Sequence, residues 1–267
     1  MTRTTKKTGK KPEARSSSKV VSVKAKKPFT NYRQAIAYLF EKTDYEKEEH
    51  VRYNVTTFSL DRMRNLLSLL GDPHAKISTV HIAGTKGKGS TATMLAKMLE
   101  SNGYTVGLYT SPHLVHLHER IVVNSEMISE AEMLGLMNRI YAPVEKLSDD
   151  PPTFFEIFTA LAFMYFADRK VDIAVIETGL GGRLDSTNVI TPKVVGITSL
   201  SIDHKLQLGD TLDGIAMEKA GVFKKGVPTI TVQQEPIAMS VLKEQAIAVK
   251  APLSVTGSSD IDFSYRF

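Results

Sequence analysis

The sequence predicts an α/β fold, with helices on both faces of a doubly wound, mostly parallel sheet. Residues 78–109 have the order strand, glycine-rich turn, helix, strand, which gives parallel neighbours joined by a right-handed crossover. Residues 171–177 are almost uniformly apolar, as expected for a strand buried on both faces. The alternation typical of doubly wound sheets continues with strands and helices at 194–198, 211–220, 228–232 and 236–249.

The elements before the glycine-rich turn are predicted to be helices. Apolar residues recur at helical spacing over 31–42, behind an N-cap at Thr30 or Asn31. Ser59 is the expected cap of a second helix, which Gly71 and Pro73 end. Further along the chain, we expect strands at 79–83 and 105–109 and helices at 91–99, 129–148 and 153–168.

The basic charge of the chain comes from its first residues. Residues 1–27 contain ten basic side chains and one acid, so the net charge of +5 leaves the remainder at −4. We predict a disordered tail over 1–28 and one ATP-binding domain over 29–260. A mitochondrial transit peptide is the alternative for the tail and would imply the matrix; otherwise we expect a cytoplasmic protein. The acidic remainder gives no case for a nucleic-acid-binding face.

Composition excludes several kinds of site. The chain has no cysteine, which rules out disulfides, a thiolate nucleophile and cysteine-ligated zinc. No apolar run is long enough to cross a membrane, and a secretory signal is excluded because the apolar stretch is missing.

Residues 84–91 (GTKGKGST) are predicted to bind phosphate, because they join a strand to a helix N-terminus. Lys88 would neutralise the β- and γ-phosphates, and Ser90 or Thr91 would place a hydroxyl near Mg²⁺. The pattern departs from G-x-x-x-x-G-K-[ST], since Ile82 stands where the first glycine is expected and Gly89 follows the lysine. A glycine-rich turn with surface lysines is the alternative. The predicted ATP-binding residues are Gly84, Thr85, Gly87, Lys88, Gly89, Ser90 and Thr91.

Seven separate segments, in this order, resemble the folylpolyglutamate synthase/dihydrofolate synthase family of the Mur ligase superfamily. They are FSLDRM at 58–63, AGTKGKGS at 83–90, YTSPHL at 109–114 with ERI at 119–121, TFFE at 153–156, ETGLGGRLDSTN at 177–188, SIDH at 201–204 and MEKAG at 217–221. The resemblance implies a P-loop NTPase fold of the Mur ligase central-domain type. It also implies a monomer that uses ATP to join L-glutamate to dihydropteroate or a folate through an acyl phosphate.

The resemblance assigns catalytic and metal-binding roles to individual residues. Lys88, Glu177, His204 and Lys219 would carry catalysis, and Ser111, Glu177 and His204 would bind Mg²⁺, with two ions expected. Glu177 ends a buried strand, where a hard carboxylate oxygen suits Mg²⁺, although a polar strand end is the plain alternative. Lys219 corresponds to a lysine that the family often carbamylates.

The same resemblance assigns substrate-binding roles to Pro112, Phe154, Asp185 and Asn188. Phe154 is equally compatible with core packing, and the two Asx residues with a turn. Residues 111–121 resemble a mobile loop over the substrates; its histidines at 113, 116 and 118 invite a zinc interpretation, but their spacing is loose.

Family members carry a second, smaller domain after the ATP-binding domain. We expect this sequence to end close to where that domain would begin, and therefore to have impaired ligase turnover. The alternatives are a peptidoglycan Mur-type ligase and an ATP-binding module without turnover.

Overall fold

The computed structural model describes residues 1–2, 28–43, 58, 60–203 and 205–257. The predicted tail over 1–28 therefore lies almost entirely outside the described residues, as do the Ser59 cap and the predicted ligand His204. No helix in the described part of the chain is long and apolar enough to span a bilayer.

The described residues form one eight-stranded sheet, and the predicted doubly wound α/β class is confirmed. Six neighbouring strands are parallel, and a hairpin of two short strands is added antiparallel at one edge. The spatial order is β4-β3-β2-β5-β1-β6-β7-β8. The strands are β1 (Thr79–Ala83), β2 (Val106–Tyr109), β3 (Ile121–Val123), β4 (Glu126–Met127), β5 (Ile173–Glu177), β6 (Val194–Ile197), β7 (Thr229–Val232) and β8 (Leu253–Thr256).

Helices cover both faces of the sheet. They are α1 (Tyr32–Phe40), α2 (Leu60–Leu69), α3 (Lys88–Ser101), α4 (Glu130–Glu145), α5 (Phe154–Asp168), α6 (Lys205–Leu208), α7 (Leu212–Ala220) and α8 (Pro236–Val249). Short 3₁₀ turns lie at Pro73–Lys76, Leu117–Arg120 and Ser186–Val189. Asn31 caps α1 by accepting the N–H of Gln34 at 3.0 Å, as one of the two predicted caps.

Helix α5 is the centre of the largest apolar cluster. Twelve of its fifteen residues are buried, because α1, α2 and α4 pack around it and it rests on the sheet. A helix that is apolar on all sides is expected only in such a position. Thr153 and Glu156 form a capping box at its N-terminus, which fixes that end beside the carboxyl edge of the sheet.

Helix α3 and strands β3, β4 and β8 differ from the sequence prediction, and the short helix α6 was not predicted. Helix α3 begins at Lys88, three residues before the predicted start, since its first turn is part of the glycine-rich segment. The β3–β4 hairpin was not predicted because its strands are short and its turn is made by Asn124 and Ser125, both at positive φ, without a glycine. Strand β8 was also missed, and it lies at the far edge of the sheet.

Candidate functional site

The carboxyl ends of four neighbouring strands bring the predicted site residues together. Strand β1 leads into the glycine-rich loop, β2 into Ser111, β5 ends at Glu177, and β6 leads into the segment 198–201. In an open α/β sheet this edge is where ligands bind.

The glycine-rich loop is anchored to the segment after β6. The backbone N–H groups of Thr85 and Lys86 both donate to the Ser199 carbonyl, at 3.0 and 3.2 Å. The Thr85 hydroxyl donates to the Ser201 carbonyl at 3.1 Å and accepts the Ser201 N–H at 3.2 Å. These contacts engage the N–H and the hydroxyl of Thr85, so this predicted ATP-binding residue anchors the loop to the segment after β6.

The first turn of α3 carries the donors that a phosphate would need. Gly87 precedes it at φ 84°, and the first intrahelical bond runs from the Thr91 N–H to the Gly87 carbonyl at 2.9 Å. The N–H groups of Lys88, Gly89 and Ser90 therefore have no intrahelical acceptor. A helix N-terminus of this kind favours an anion through its donors and its dipole.

Glu177 lies against this turn and explains the unusual glycine. A Cβ at position 89 would stand 3.3 Å from Oε2 of Glu177, closer than an ordinary contact, so the missing side chain admits the carboxylate. Glu177 Oε1 is 4.0 Å from Lys88 Nζ, and Oε2 accepts the Ser111 N–H at 3.2 Å. Three predicted site residues thus meet at one buried carboxylate.

Burial shifts the pKa values of Glu177 and Lys219 towards their neutral forms. Burial raises the pKa of Glu177 to about 7, in spite of the opposing effects of Lys88 and the Ser111 N–H. Burial, helped by the nearby Lys88, lowers the pKa of Lys219 to about 8. The Lys219 ammonium donates to the Gly84 carbonyl at 2.7 Å, which ties α7 to the glycine-rich loop. Perturbed groups of opposite type in one place are typical of functional sites.

A cleft of about 240 Å³ opens beside Lys88 and Ser111. Its walls are mostly apolar, and its polar side chains include Arg62, Glu156 and Asp185. A largely apolar cleft with a few placed polar groups is the usual form of a small-molecule site. It is lined by Phe58, Arg62, Lys88, Ser111, Pro112, Thr153, Phe155, Glu156, Gly179, Leu180, Leu184, Asp185, Ser186 and Gln207.

A buried ion pair holds one side of the cleft. The Arg62 guanidinium donates to Glu156 at 2.7 Å, and a second nitrogen donates to Asp150 at 3.0 Å. Arg62 and Glu156 are 7% and 4% exposed. The pair joins α2 to the capped start of α5 at the cleft wall.

The loop after Ser111 is organised by Glu119. Its carboxylate accepts the N–H groups of Leu114, Val115 and His116 at 2.7 to 2.9 Å, and these bonds lower its pKa to about 2. The three histidines of the loop do not form a metal site. His113 accepts from Arg120, and His118 packs on Tyr32. Among the described residues no group of three His, Asp or Glu side chains could hold a metal ion.

With this geometry established, comparison with known proteins decides the family. A family model described as the Mur ligase middle domain matches residues 82–251. The chain belongs to the Mur ligase family. The matched range begins in β1 and ends after α8, and it includes the glycine-rich loop, Ser111, Glu177 and Lys219.

Within this family the chain is similar to folate enzymes. It is 47% identical to dihydrofolate synthase/folylpolyglutamate synthase of Bacillus subtilis (strain 168), over 72% of this chain and 46% of the relative. It is 39% identical to folylpolyglutamate synthase of Lacticaseibacillus casei, over 89% of this chain and 53% of the relative. A solved FPGS–AMPPCP–folate complex superposes with a TM-score of 0.77 at 38% identity, covering 84% of this chain and 54% of that one. The Mur ligase chain thus spans about half the length of these relatives.

Two of the predicted substrate residues lie elsewhere in the Mur ligase fold. Phe154 is 1% exposed and stacks between Phe40 and Phe158, at ring distances of 5.7 and 5.8 Å, so it belongs to the core. Asn188 is buried and donates to the Arg183 and Gly221 carbonyls, which makes it a structural residue of its loop. Pro112 and Asp185 do line the cleft.

Several cleft residues were missed from the sequence. Phe155 rather than Phe154 faces the cleft, because one residue along a helix turns the side chain by about 100°. Arg62 stands beside Met63 in an amphipathic helix, where an arginine ordinarily faces solvent. Leu180 and Leu184 flank a glycine pair and carried no chemical signal. Only the fold places these side chains opposite Lys88.

Glu177→Gln should stabilise the Mur ligase chain at neutral pH in the absence of metal and nucleotide. The folded pKa of about 7 lies above the ordinary value of 4.5, so the folded state binds an extra proton between these values. Its contribution to stability therefore falls as the pH rises through this window. We expect no difference from the native chain near pH 4 and a gain of up to about 3 kcal/mol at pH 8, measured by urea unfolding.

The exposed Glu235→Gln is the matched control for loss of a carboxylate. If Glu177→Gln is no more stable than the native chain at pH 8, the ionised Glu177 carboxylate does not lower the free energy of unfolding.

Proposed function

We propose that this chain is the ATP-binding domain of a ligase that joins L-glutamate, through an amide bond, to the carboxylate of dihydropteroate or a folate. The observation that carries the proposal is the contact of Lys88 with Glu177 where a phosphate-binding helix end opens onto a mostly apolar cleft. A nucleotide held at the helix end would direct its terminal phosphate towards that cleft. A flat aromatic acceptor fits the cleft walls, which include Phe155 and Leu180.

The residues present fit Mg²⁺ as the accompanying ion. Mg²⁺ favours one or two carboxylates together with water and substrate phosphates over a complete protein cage. Glu177 is a buried carboxylate whose charge is disfavoured by burial and would be stabilised by a cation. Glu177 and the Ser111 hydroxyl would hold the ion, and bound Mg²⁺ would neutralise phosphate charge. The predicted third ligand, His204, stays a prediction.

The described residues account for the demands of phosphoryl transfer to a carboxylate. Two negative groups must approach, so the cations beside them carry much of the stabilisation. Lys88 is 14% exposed at the junction of the helix end and the cleft, where it can contact both groups. The apolar part of the cleft wall would limit the contact of water with an acceptor bound there. Lys219 holds the Gly84 carbonyl and so fixes the loop that receives the phosphates.

The names of the similar proteins support the acceptor class. The Bacillus subtilis relative is named dihydrofolate synthase/folylpolyglutamate synthase, and the superposed structure is a complex with AMPPCP and folate. We extend the activity to this chain as a proposal, with glutamate as the amino donor and residues 29–260 as one domain.

The acceptor class is tested by ligand-dependent melting of the 267-residue chain with AMPPCP and Mg²⁺ present. Folate or pteroate at about 100 times its Kd should stabilise the fold by about 2.7 kcal/mol, a rise in Tm of roughly 5–11 °C. A UDP-sugar peptide, the acceptor class of peptidoglycan Mur ligases, should give no rise. ADP release is measured in matching samples in which ATP replaces AMPPCP and glutamate is added.

Phe155→Ala should abolish the folate-dependent rise while the rise with AMPPCP and Mg²⁺ persists, because Phe155 lines the cleft and not the helix end. A rise with the UDP-sugar peptide in place of folate would assign the chain to the peptidoglycan branch. If AMPPCP with Mg²⁺ raises the Tm and neither acceptor raises it further, the chain is an ATP-binding module.

A further inference from the structure

A buried histidine of β1 reaches the cleft wall through one intermediate. His81 is 0% exposed and lies two residues before the end of the strand that leads into the glycine-rich loop. Its neighbours Val80 and Ile82 pack in the α3 cluster, so His81 lies on the opposite face of the sheet. There its Nε2 atom is 2.8 Å from the Thr187 hydroxyl oxygen.

The direction of the hydrogen bonds fixes the histidine tautomer. The Thr187 hydroxyl donates its single proton to Asp185 Oδ1. Burial raises the pKa of Asp185, against the hydrogen bonds from Thr187, Leu180 and Gly179 that favour its ionised form. With Asp185 ionised, the Thr187 oxygen accepts from His81, which places the imidazole proton on Nε2. The Nδ1 atom is then an unprotonated acceptor, and it is buried without a hydrogen-bond partner in the described part of the chain. Burial lowers the pKa of His81 to about 3, so the ring is neutral.

Asp185 connects Thr187 to the wall of the cleft. Besides the hydroxyl, its carboxylate accepts the Thr187 N–H at 2.9 Å and the Leu180 N–H at 2.8 Å. It also accepts from the Gly179 backbone. One buried carboxylate thus joins both ends of the segment 179–187, and Gly179, Leu180 and Leu184 from this segment line the cleft.

An apolar side chain at position 81 would avoid the unpaired Nδ1, since a buried acceptor without a partner destabilises the fold. The histidine is therefore placed here at the expense of stability, and what it supplies is one donor, to Thr187. We propose that His81 is a positioning residue of the acceptor cleft: from the strand that carries the phosphate loop it fixes, through Thr187, the Asp185 carboxylate that shapes the cleft wall. The acceptor named here rests on the proposed function.

The proposal predicts a change in acceptor affinity separate from nucleotide affinity. Thr187→Val keeps the shape of the side chain and removes the hydroxyl, whereas Thr187→Ser keeps the hydroxyl. Thr187→Val loses the hydroxyl that connects His81 to Asp185. Its Kd for folate should therefore rise by about 10-fold, the equivalent of one hydrogen bond. Thr187→Ser should bind folate like the native chain, and the Kd for AMPPCP with Mg²⁺ should stay within about 2-fold in both. If Thr187→Val loses affinity for folate and for AMPPCP by the same factor, the proposal is overturned.

A ligand-free measurement separates this proposal from the function on which it rests. Nitrogen-15 NMR of the native chain should show His81 as the Nε2–H tautomer. Hydrogen exchange at the Leu180 amide should accelerate about 10-fold in Thr187→Val and not in Thr187→Ser, because its acceptor Asp185 is released. These results stand even if folate does not bind. The Nδ1–H tautomer, or unchanged Leu180 exchange in Thr187→Val, would contradict the relay.

Should Thr187→Val fail to fold, His81→Gln and His81→Leu give the same comparison. Glutamine retains a side-chain N–H donor, and leucine has none. His81→Leu should fold at least as stably as the native chain, since it removes the unpaired acceptor, and should show the faster Leu180 exchange. Slow exchange in both variants would overturn the proposal.

Discussion

Replacing Lys88 by alanine should weaken the binding of AMPPCP with Mg²⁺ by about 10- to 100-fold, the range expected for loss of one charge-assisted contact. The Lys88 side chain is 14% exposed, and its ammonium lies 4.0 Å from the Glu177 carboxylate at the start of α3. The variant therefore loses a cation that would face the phosphates, while Mg²⁺ at Glu177 would remain. Isothermal titration calorimetry on the purified chain measures the effect.

Lys86→Ala is the matched control for Lys88→Ala. Lys86 belongs to the same loop and is exposed, and its backbone N–H is bonded to Ser199, so the loop keeps its anchor in this variant. We expect its affinity for the nucleotide to stay within about 3-fold of the native value, as for an exposed surface charge. Equal losses in the two variants would mean that the loop acts through its general positive charge.

Replacing Gly84 by alanine should destabilise the fold by about 3–5 kcal/mol, from the combined costs of overpacking and of a strained backbone. Gly84 has a φ of 143°, which L side chains rarely adopt. An added Cβ would stand 1.9 Å from the Thr198 hydroxyl oxygen and 3.0 Å from the Thr198 nitrogen. The β6 end cannot retreat freely, because Thr198 donates to the Ala83 carbonyl at 2.9 Å. Urea unfolding at pH 7 measures the loss.

Gly103→Ala separates the two contributions at Gly84. Gly103 also has a positive φ, 87°, but an added Cβ would meet no atom within 4 Å. It should cost only about 1 kcal/mol, the conformational part of the effect. In the Gly84→Ala background, Thr198→Ala removes the closest clashing atom and should restore part of the stability. An equal cost at the two glycines would show that Thr198 does not press on the loop.

The parallel strands at the centre of the sheet were predictable because they follow from simple patterns. Strand β5 is nearly uniformly apolar, and Glu177 at its end was expected at the carboxyl edge of the sheet. The pairing of β5 with β1 in the structure places Glu177 near Lys88. The glycine at position 89 seemed a departure from the phosphate-loop pattern. Its reason, the approach of the Glu177 carboxylate, depends on a contact across 88 positions of sequence.

The cleft was less predictable, because its walls depend on packing. Phe154 and Phe155 are equally apolar in the sequence, and α5 is apolar all round, so no periodicity indicates which ring faces the core. His81 looks like an ordinary residue of a buried strand, and its partner Thr187 is 106 positions away. Only the parallel pairing of β1 with β5 and β6 brings the segment 179–187 to this strand.

A crystal structure of the chain with AMPPCP, Mg²⁺ and folate is the sharpest test of the proposed nucleotide and acceptor sites. We expect the β- and γ-phosphates against the N–H groups of Lys88, Gly89 and Ser90, with Mg²⁺ at Glu177. We expect the folate ring system in the cleft beside Phe155 and Leu180. A nucleotide bound away from the start of α3, or a folate outside this cleft, would contradict the proposed sites.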